Sequence, residues 1–141
     1  MIKTSHSVLI DTHILIWMMT SSEQLHSLDK EQLANAMRHG QLYISAISFW
    51  EIAMLARYGR LILSIPIEHW INEVLQTPGL HVLELSIPVL LESVQLPEGC
   101  HKDPADRMII ASARVYQYPL MSYDKKIIDY AQNGYLKILA N

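Results

Sequence analysis

Short apolar runs alternate with segments of helical spacing along the whole of this chain, and that alternation limits the fold more than any other feature. Ser7 to Ile10, Leu42 to Ile44, His81 to Leu85, Leu120 to Ser122 and Leu136 to Leu139 read as short buried strands. Between them, apolar residues recur three and four apart. One such segment follows the turn Thr12-His13 and runs through Trp17; a second runs from Asp29, read as its N-cap, to His39 before Gly40. A third opens on Ser48-Phe49-Trp50-Glu51, a match to the capping box with Ser48 as N-cap, and ends at Tyr58 before Gly59. Pro66 to Gln76 is closed by Pro78-Gly79, and Ser86 caps Ile87 to Val94. Asp103 then caps a helix that has Pro104 at its first position and continues to about Tyr116, and a last helix covers Lys125 to Gln132. Strands that alternate with helices pair mainly in parallel, because each crossover returns the chain to the same end of the sheet. The expectation is an α/β fold, a three-layer α/β/α sandwich with a mainly parallel central sheet, in which residues 1–141 form a single domain.

Composition excludes several classes. Half of the residues are hydrophobic and 18% are charged, a balance that supports a packed core and argues against disorder. The longest apolar stretch, Val8 to Met19, is interrupted by Asp11 and His13, so it does not read as a membrane span, and no secretory leader is evident. Cys100 is the only cysteine and cannot form an intrachain disulfide, which fits a reducing, cytoplasmic setting. It reads as a loop or core thiol.

Four acidic residues, Asp11, Glu51, Asp106 and Asp124, each fall where a strand gives way to a helix. In an open α/β sheet those junctions gather along one edge, so residues distant in sequence converge on one crevice. Converged carboxylates repel, and a hard divalent cation with a preference for oxygen ligands relieves the repulsion. Asp11, at the end of a middle strand, is the candidate central ligand. The formal net charge of −3 is no obstacle to a nucleic-acid substrate, since neutralising the four acids leaves the remainder of the chain near +1. With only 11 lysines and arginines, the grip on a phosphate backbone would be local. Each acid also has an ordinary explanation. Asp11 and Asp124 suit N-caps, Glu51 completes the capping box, and Asp106 complements a helix dipole. The metal reading rests on the set.

The motifs Leu9-Ile10-Asp11-Thr12-His13, Ser45-x-x-Ser48-x-Trp50-Glu51-Ile52, His101-x-Asp103-Pro104-x-Asp106-Arg107-x-x-x-Ala111 and Ser122-Tyr123-Asp124, in this order and spacing, resemble the PIN domain and, within it, the VapC-like ribonuclease toxins of toxin–antitoxin pairs. The resemblance implies a PIN-like fold and a quartet of Asp11, Glu51, Asp106 and Asp124 that binds Mg²⁺ or Mn²⁺, with Thr12 and Ser122 as polar neighbours. It also implies RNA as substrate, a cognate antitoxin as inhibitor and a homodimer. Metal ions suit phosphodiester hydrolysis, because they lower the pKa of a bound water and neutralise charge on the scissile phosphate and leaving oxygen.

Several neighbours take supporting roles in this reading. Asp103 caps the helix that presents Asp106. Arg107 contacts RNA phosphate, orients a ligand carboxylate, or forms an ordinary salt bridge. His13 and His101 invite a zinc site but lack His or Cys partners at zinc spacing, which favours a supporting role. Arg57, Arg60, Lys125 and Lys126 steer RNA or simply face solvent. Trp17, Trp50 and Trp70 suit core or interface packing, and Met18 and Met19 add to an apolar patch that a partner covers. Two other classes compete. An aspartate-based phosphoryl-transfer or receiver-type domain would need a second acid where His13 stands, or an acceptor aspartate at Leu85-Ser86. A non-catalytic PIN-like binding module would keep the fold without the reaction.

Overall fold

The computed structural model describes residues 6–139. Its centre is a five-stranded sheet made of β1 (Val8–Ile10), β2 (Leu42–Ser45), β3 (Leu80–Leu83), β4 (Leu120–Met121) and β5 (Ile138–Leu139), ordered β3-β2-β1-β4-β5. Every adjacent pair is parallel, with Val8 opposite Leu42, Leu42 opposite Leu80, and Leu9 opposite Leu120. Side chains alternate across the sheet, so a strand buried on both faces must be apolar throughout, as β1 is. Val8 and Ile10 enter one core with Leu42, Ile44 and Met121, and Leu9 enters the other with Leu83 and Leu120.

Helices cover both faces. The first core is closed by Ile14 and Leu15 of α1 (Thr12–Met19), Leu33 and Ala36 of α2 (Ser27–Arg38), Ile52 of α3 (Ala46–Arg57) and Trp70 and Val74 of α4 (Ile67–Leu75). The second is closed by Ile109, Ile110 and Ala113 of α6 (Pro104–Tyr116) and Ile127 and Tyr130 of α7 (Lys125–Ala131). The helix α5 (Ile87–Val94) packs along α6. These are the three layers read from the alternation. No helix among the described residues is long and apolar enough to cross a membrane.

The strand order reverses beside β1. The chain steps outward from β1 through β2 to β3, then returns to the other side for β4 and β5. The carboxyl ends of β1 and β4 therefore flank a topological switch point, where open α/β sheets form a crevice. Asp11 follows one of those strands and Ser122 to Asp124 follow the other.

Three local readings are corrected. The helix carrying Glu51 begins at Ala46 with Ser45 as N-cap, its Oγ accepting from Ile47 N at 3.2 Å. Ser48 is inside that helix, so Ser48 and Glu51 form no capping box. The strand β2 runs straight into the helix and leaves Ser45 at the first position able to cap. Asp29 is likewise not the cap of α2: His26 holds the N-cap position without a side-chain capping bond, and Asp29 lies buried in the first turn. Its Oδ2 accepts from the Tyr123 hydroxyl, a tertiary partner that outcompetes the local one. Met18 and Met19 pack partly buried against the first core instead of forming an exposed patch. By contrast, Ser86, Asp103 and Asp124 cap α5, α6 and α7 as the sequence indicates.

Candidate functional site

Asp11 ends β1, is 3% exposed and caps α1, with Oδ1 accepting from Thr12 N at 2.8 Å. Its Oδ2 accepts from the buried Ser122 hydroxyl at 2.6 Å, and Ser122 Oγ in turn accepts from Asp124 N at 3.1 Å. Ser122 thereby ties the ends of β1 and β4 together and fixes the start of α7. Asp124 uses Oδ1 to cap that helix, accepting from Lys126 N at 2.8 Å.

Glu51 reaches the same crevice from α3. Thr12 Oγ1 donates to Glu51 Oε1 at 2.6 Å and lies 2.8 Å from Ser48 Oγ. A threonine hydroxyl has one proton, so Ser48 must donate to Thr12, which gives an ordered Ser48 to Thr12 to Glu51 chain. Burial raises the Glu51 pKa above its ordinary value; the Thr12 bond opposes the rise, and the Asp11 and Asp103 charges add to it.

Asp106 comes from the first turn of α6 and is the shared member of the cluster. Ligand atoms of Glu51, Asp103 and Asp106 lie within 4.8 Å of one another, as do those of His101, Asp106 and Asp124. Burial first, then the charges of Asp11, Asp103, Glu51 and Asp124, push the Asp106 carboxyl up to about 7. Asp103 caps α6 through Oδ1, accepting from Ala105 N at 2.9 Å and Asp106 N at 3.2 Å. Its carboxylate faces the cluster as well, so capping and proximity to the other acids coexist. Asp106 is the acid common to both close groups. Asp11 is in neither close group and its oxygens accept from Thr12 N and Ser122 Oγ, yet among the neighbouring charges its own acts most strongly on Asp106.

Arg107 points elsewhere. Its Nε donates to Ser93 O at 2.9 Å and its Nη1 to His101 O at 3.4 Å, so it braces the loop before α6 and contacts no cluster carboxylate. Lys125 pairs with Asp129 at 3.0 Å, and Arg57 and Arg60 are exposed. Among the described residues, none of the five cluster carboxylates pairs with a lysine or arginine. An oxygen-rich donor set whose mutual repulsion no lysine or arginine relieves fits a hard divalent cation.

Sequence reasoning missed the support beneath Asp124. Tyr123 donates through its hydroxyl to Asp29 and through its backbone N to His13 Nε2 at 2.9 Å, and its ring is 5.3 Å from that of Trp17. These contacts join α1, α2 and the segment after β4, and nothing local in the sequence signals them.

A family model for the PIN domain matches residues 8–133. This chain belongs to the PIN-domain family. Ribonuclease VapC22 of Mycobacterium tuberculosis (strain ATCC 25618 / H37Rv) is 30% identical to this PIN domain over 123 residues, which cover 86% of this chain and 89% of that protein. Two solved structures share the fold. A toxin–antitoxin complex from Klebsiella pneumoniae superposes with a TM-score of 0.65 at 22% identity, covering 95% of this chain and 97% of that one. VapBC2 from Rickettsia felis, bound to a promoter DNA fragment, gives 0.66 at 14% identity over 94% and 96%. The VapC-like resemblance carried by the four motifs therefore extends over most of the chain, and the family match sets aside the receiver-type alternative.

Proposed function

We propose that this PIN domain is a Mg²⁺- or Mn²⁺-dependent endoribonuclease, the toxin of a toxin–antitoxin pair, and that Asp11, Glu51, Asp106 and Asp124 form its catalytic metal site. The observation that carries the reading is the crowding of carboxylates around Asp106 with no lysine or arginine paired to any of them among the described residues. The likeness to Ribonuclease VapC22 supports RNA as the substrate. The likeness to toxin–antitoxin complexes supports a cognate antitoxin as the partner that silences it. A homodimer belongs to the same reading.

Asp11, Glu51, Asp106 and Asp124 would hold the cation. When bound, the cation supplies an activated water and neutralises charge on the scissile phosphate. The chain's own side chains prepare that site. Thr12 turns Glu51 toward the cluster and favours its ionised form, and Ser122 keeps Asp11 and Asp124 in fixed register. Asp103 holds the first turn of α6 so that Asp106 faces its neighbours. The test is cleavage of single-stranded and structured RNA with Mg²⁺ or Mn²⁺. Asp106→Asn should reduce the rate by at least about a hundredfold, and equal rates for wild type and variant would sink the assignment.

A further inference from the structure

Beside Glu51 the surface changes character. Trp50, Met54 and Tyr58 recur every fourth residue along α3 and its C-cap, so they stand one above another on one side of the helix. Together with Leu55, Arg60 and Glu51 itself they line a cavity of about 410 Å³. Trp50 reads from the sequence as a packing residue, but in the fold it is Ile52 that takes α3 into the core, while Trp50 is 55% exposed and Tyr58 69% exposed. Arg60 borders the cavity on one side of Trp50, and Arg57 borders the neighbouring cleft on the other. Both arginines are exposed, and among the described residues neither forms an ion pair with an acid. Two aromatic rings, two unpaired guanidinium groups and one acid of the cluster therefore share a single wall.

We infer that Trp50 and Tyr58 bind the RNA strand beside the cut by stacking on its unpaired bases, while Arg60 and Arg57 hold its phosphates. A wholly apolar occupant would cover the rings and leave both arginines without a counter-charge. Single-stranded RNA satisfies both, because every base has a π-face to lay on an aromatic ring and every phosphate accepts from a guanidinium. The α5 face is the contrast: Ile87, Leu91 and Val94 are exposed there, but α5 carries no basic residue and no acid of the cluster. Continuity with Glu51 sets the path, since a strand held on this wall passes directly to the carboxylates. From Trp50 to Tyr58 the helix rises roughly 12 Å, the length of about three to four stacked nucleotides. The substrate class that follows is RNA with an unpaired stretch of about that length on one side of the scissile phosphate. Duplex RNA, whose bases are already stacked on one another, is refused by this wall.

The inference rests on the proposed ribonuclease activity, but its first test needs no cleavage. Fluorescence anisotropy in EDTA would follow a short, labelled RNA of unstructured sequence binding to the full-length protein. Both rings lie outside the core, so substitutions there keep the wild-type fold. Trp50→Phe retains a π-face and should bind within about threefold of wild type, whereas Trp50→Leu and Tyr58→Leu, which keep only apolar bulk, should bind roughly tenfold more weakly. Arg60→Gln should lower the slope of log affinity against log salt by about 0.7, the share of one phosphate contact on a single strand. The same RNA annealed to its complement should lose most of its affinity and should not distinguish Trp50→Leu from wild type. Equal affinities for wild type, Trp50→Phe and Trp50→Leu, or an unchanged salt slope in Arg60→Gln, would overturn the inference. Adding Mn²⁺ then separates the two readings. Binding that depends on Trp50 with no cleavage by the wild type would overturn the proposed function and leave this surface standing. Cleavage whose affinity is indifferent to Trp50 and Tyr58 would overturn this inference alone and return the face to an apolar protein partner.

Discussion

Asp106 shows how one residue carries the conflict between stability and function. Its carboxyl, raised from 3.8 to about 7, is held protonated in the folded chain over a pH range in which the unfolded chain has already released its proton. Folding stability contributed by Asp106 is thus unaffected well below 3.8, falls as pH rises through the window up to about 7, and remains lowered above it. The metal-free wild type should lose thermal stability from about pH 4 to about pH 7 more steeply than Asp106→Asn, which has no charge to bury. Melting curves of the two proteins across that range measure the difference. Added Mn²⁺ should raise the wild-type midpoint most at the upper end, where it no longer competes with a proton, and should leave Asp106→Asn nearly unmoved. Parallel pH profiles would remove the repulsion argument. At this scale the sequence was a fair guide to identity: Asp11, Glu51, Asp106 and Asp124 do reach one crevice. Which of them is common to both close groups is set by where α6 presents Asp106.

The elements owe their boundaries to a competition between local and distant partners. Local chemistry wins at α5, α6 and α7, where Ser86, Asp103 and Asp124 cap as their positions suggest. Distant partners win elsewhere. Ser48 abandons a cap for Thr12, and Asp29 abandons one for Tyr123, so both patterns mislead when read along the chain. The turn before β3 is set by Gly79, at φ +84°, where an added Cβ would lie 2.1 Å from Met37 O at the end of α2. Backbone cannot yield as a flexible side chain does, so Gly79→Ala forces α2 and β3 apart. We expect it to cost about 2 to 4 kcal/mol of stability, combining a left-handed backbone conformation with a main-chain clash. Urea unfolding measures this cost, and a loss below about 0.5 kcal/mol would show that the turn relaxes freely.

At the scale of the whole molecule, the surface carries more apolar area than the crevice explains. Ile87, Leu91 and Val94 lie along α5 at helical spacing and are 68%, 54% and 75% exposed. A stripe of this kind on a small domain points to a protein partner. In the proposed homodimer the α5 stripe is the surface we expect to be covered, so Leu91→Asp should shift sedimentation toward a monomer while leaving far-ultraviolet circular dichroism unchanged. Unaltered sedimentation of a dimeric wild type would move the interface elsewhere.

The sequence by itself determined the layered α/β architecture and the residues offered to the crevice. Apolar periodicity, caps and strand-to-helix junctions are short-range properties, and a chain displays them in order. The tertiary structure alone decided how those residues meet. Thr12 finds Ser48 and Glu51 across 36 and 39 positions, and Ser122 finds Asp11 across 111. Such partners are chosen by strand order and by the angle at which each helix leaves the sheet, which no local pattern encodes. The same geometry makes Asp106 the shared acid.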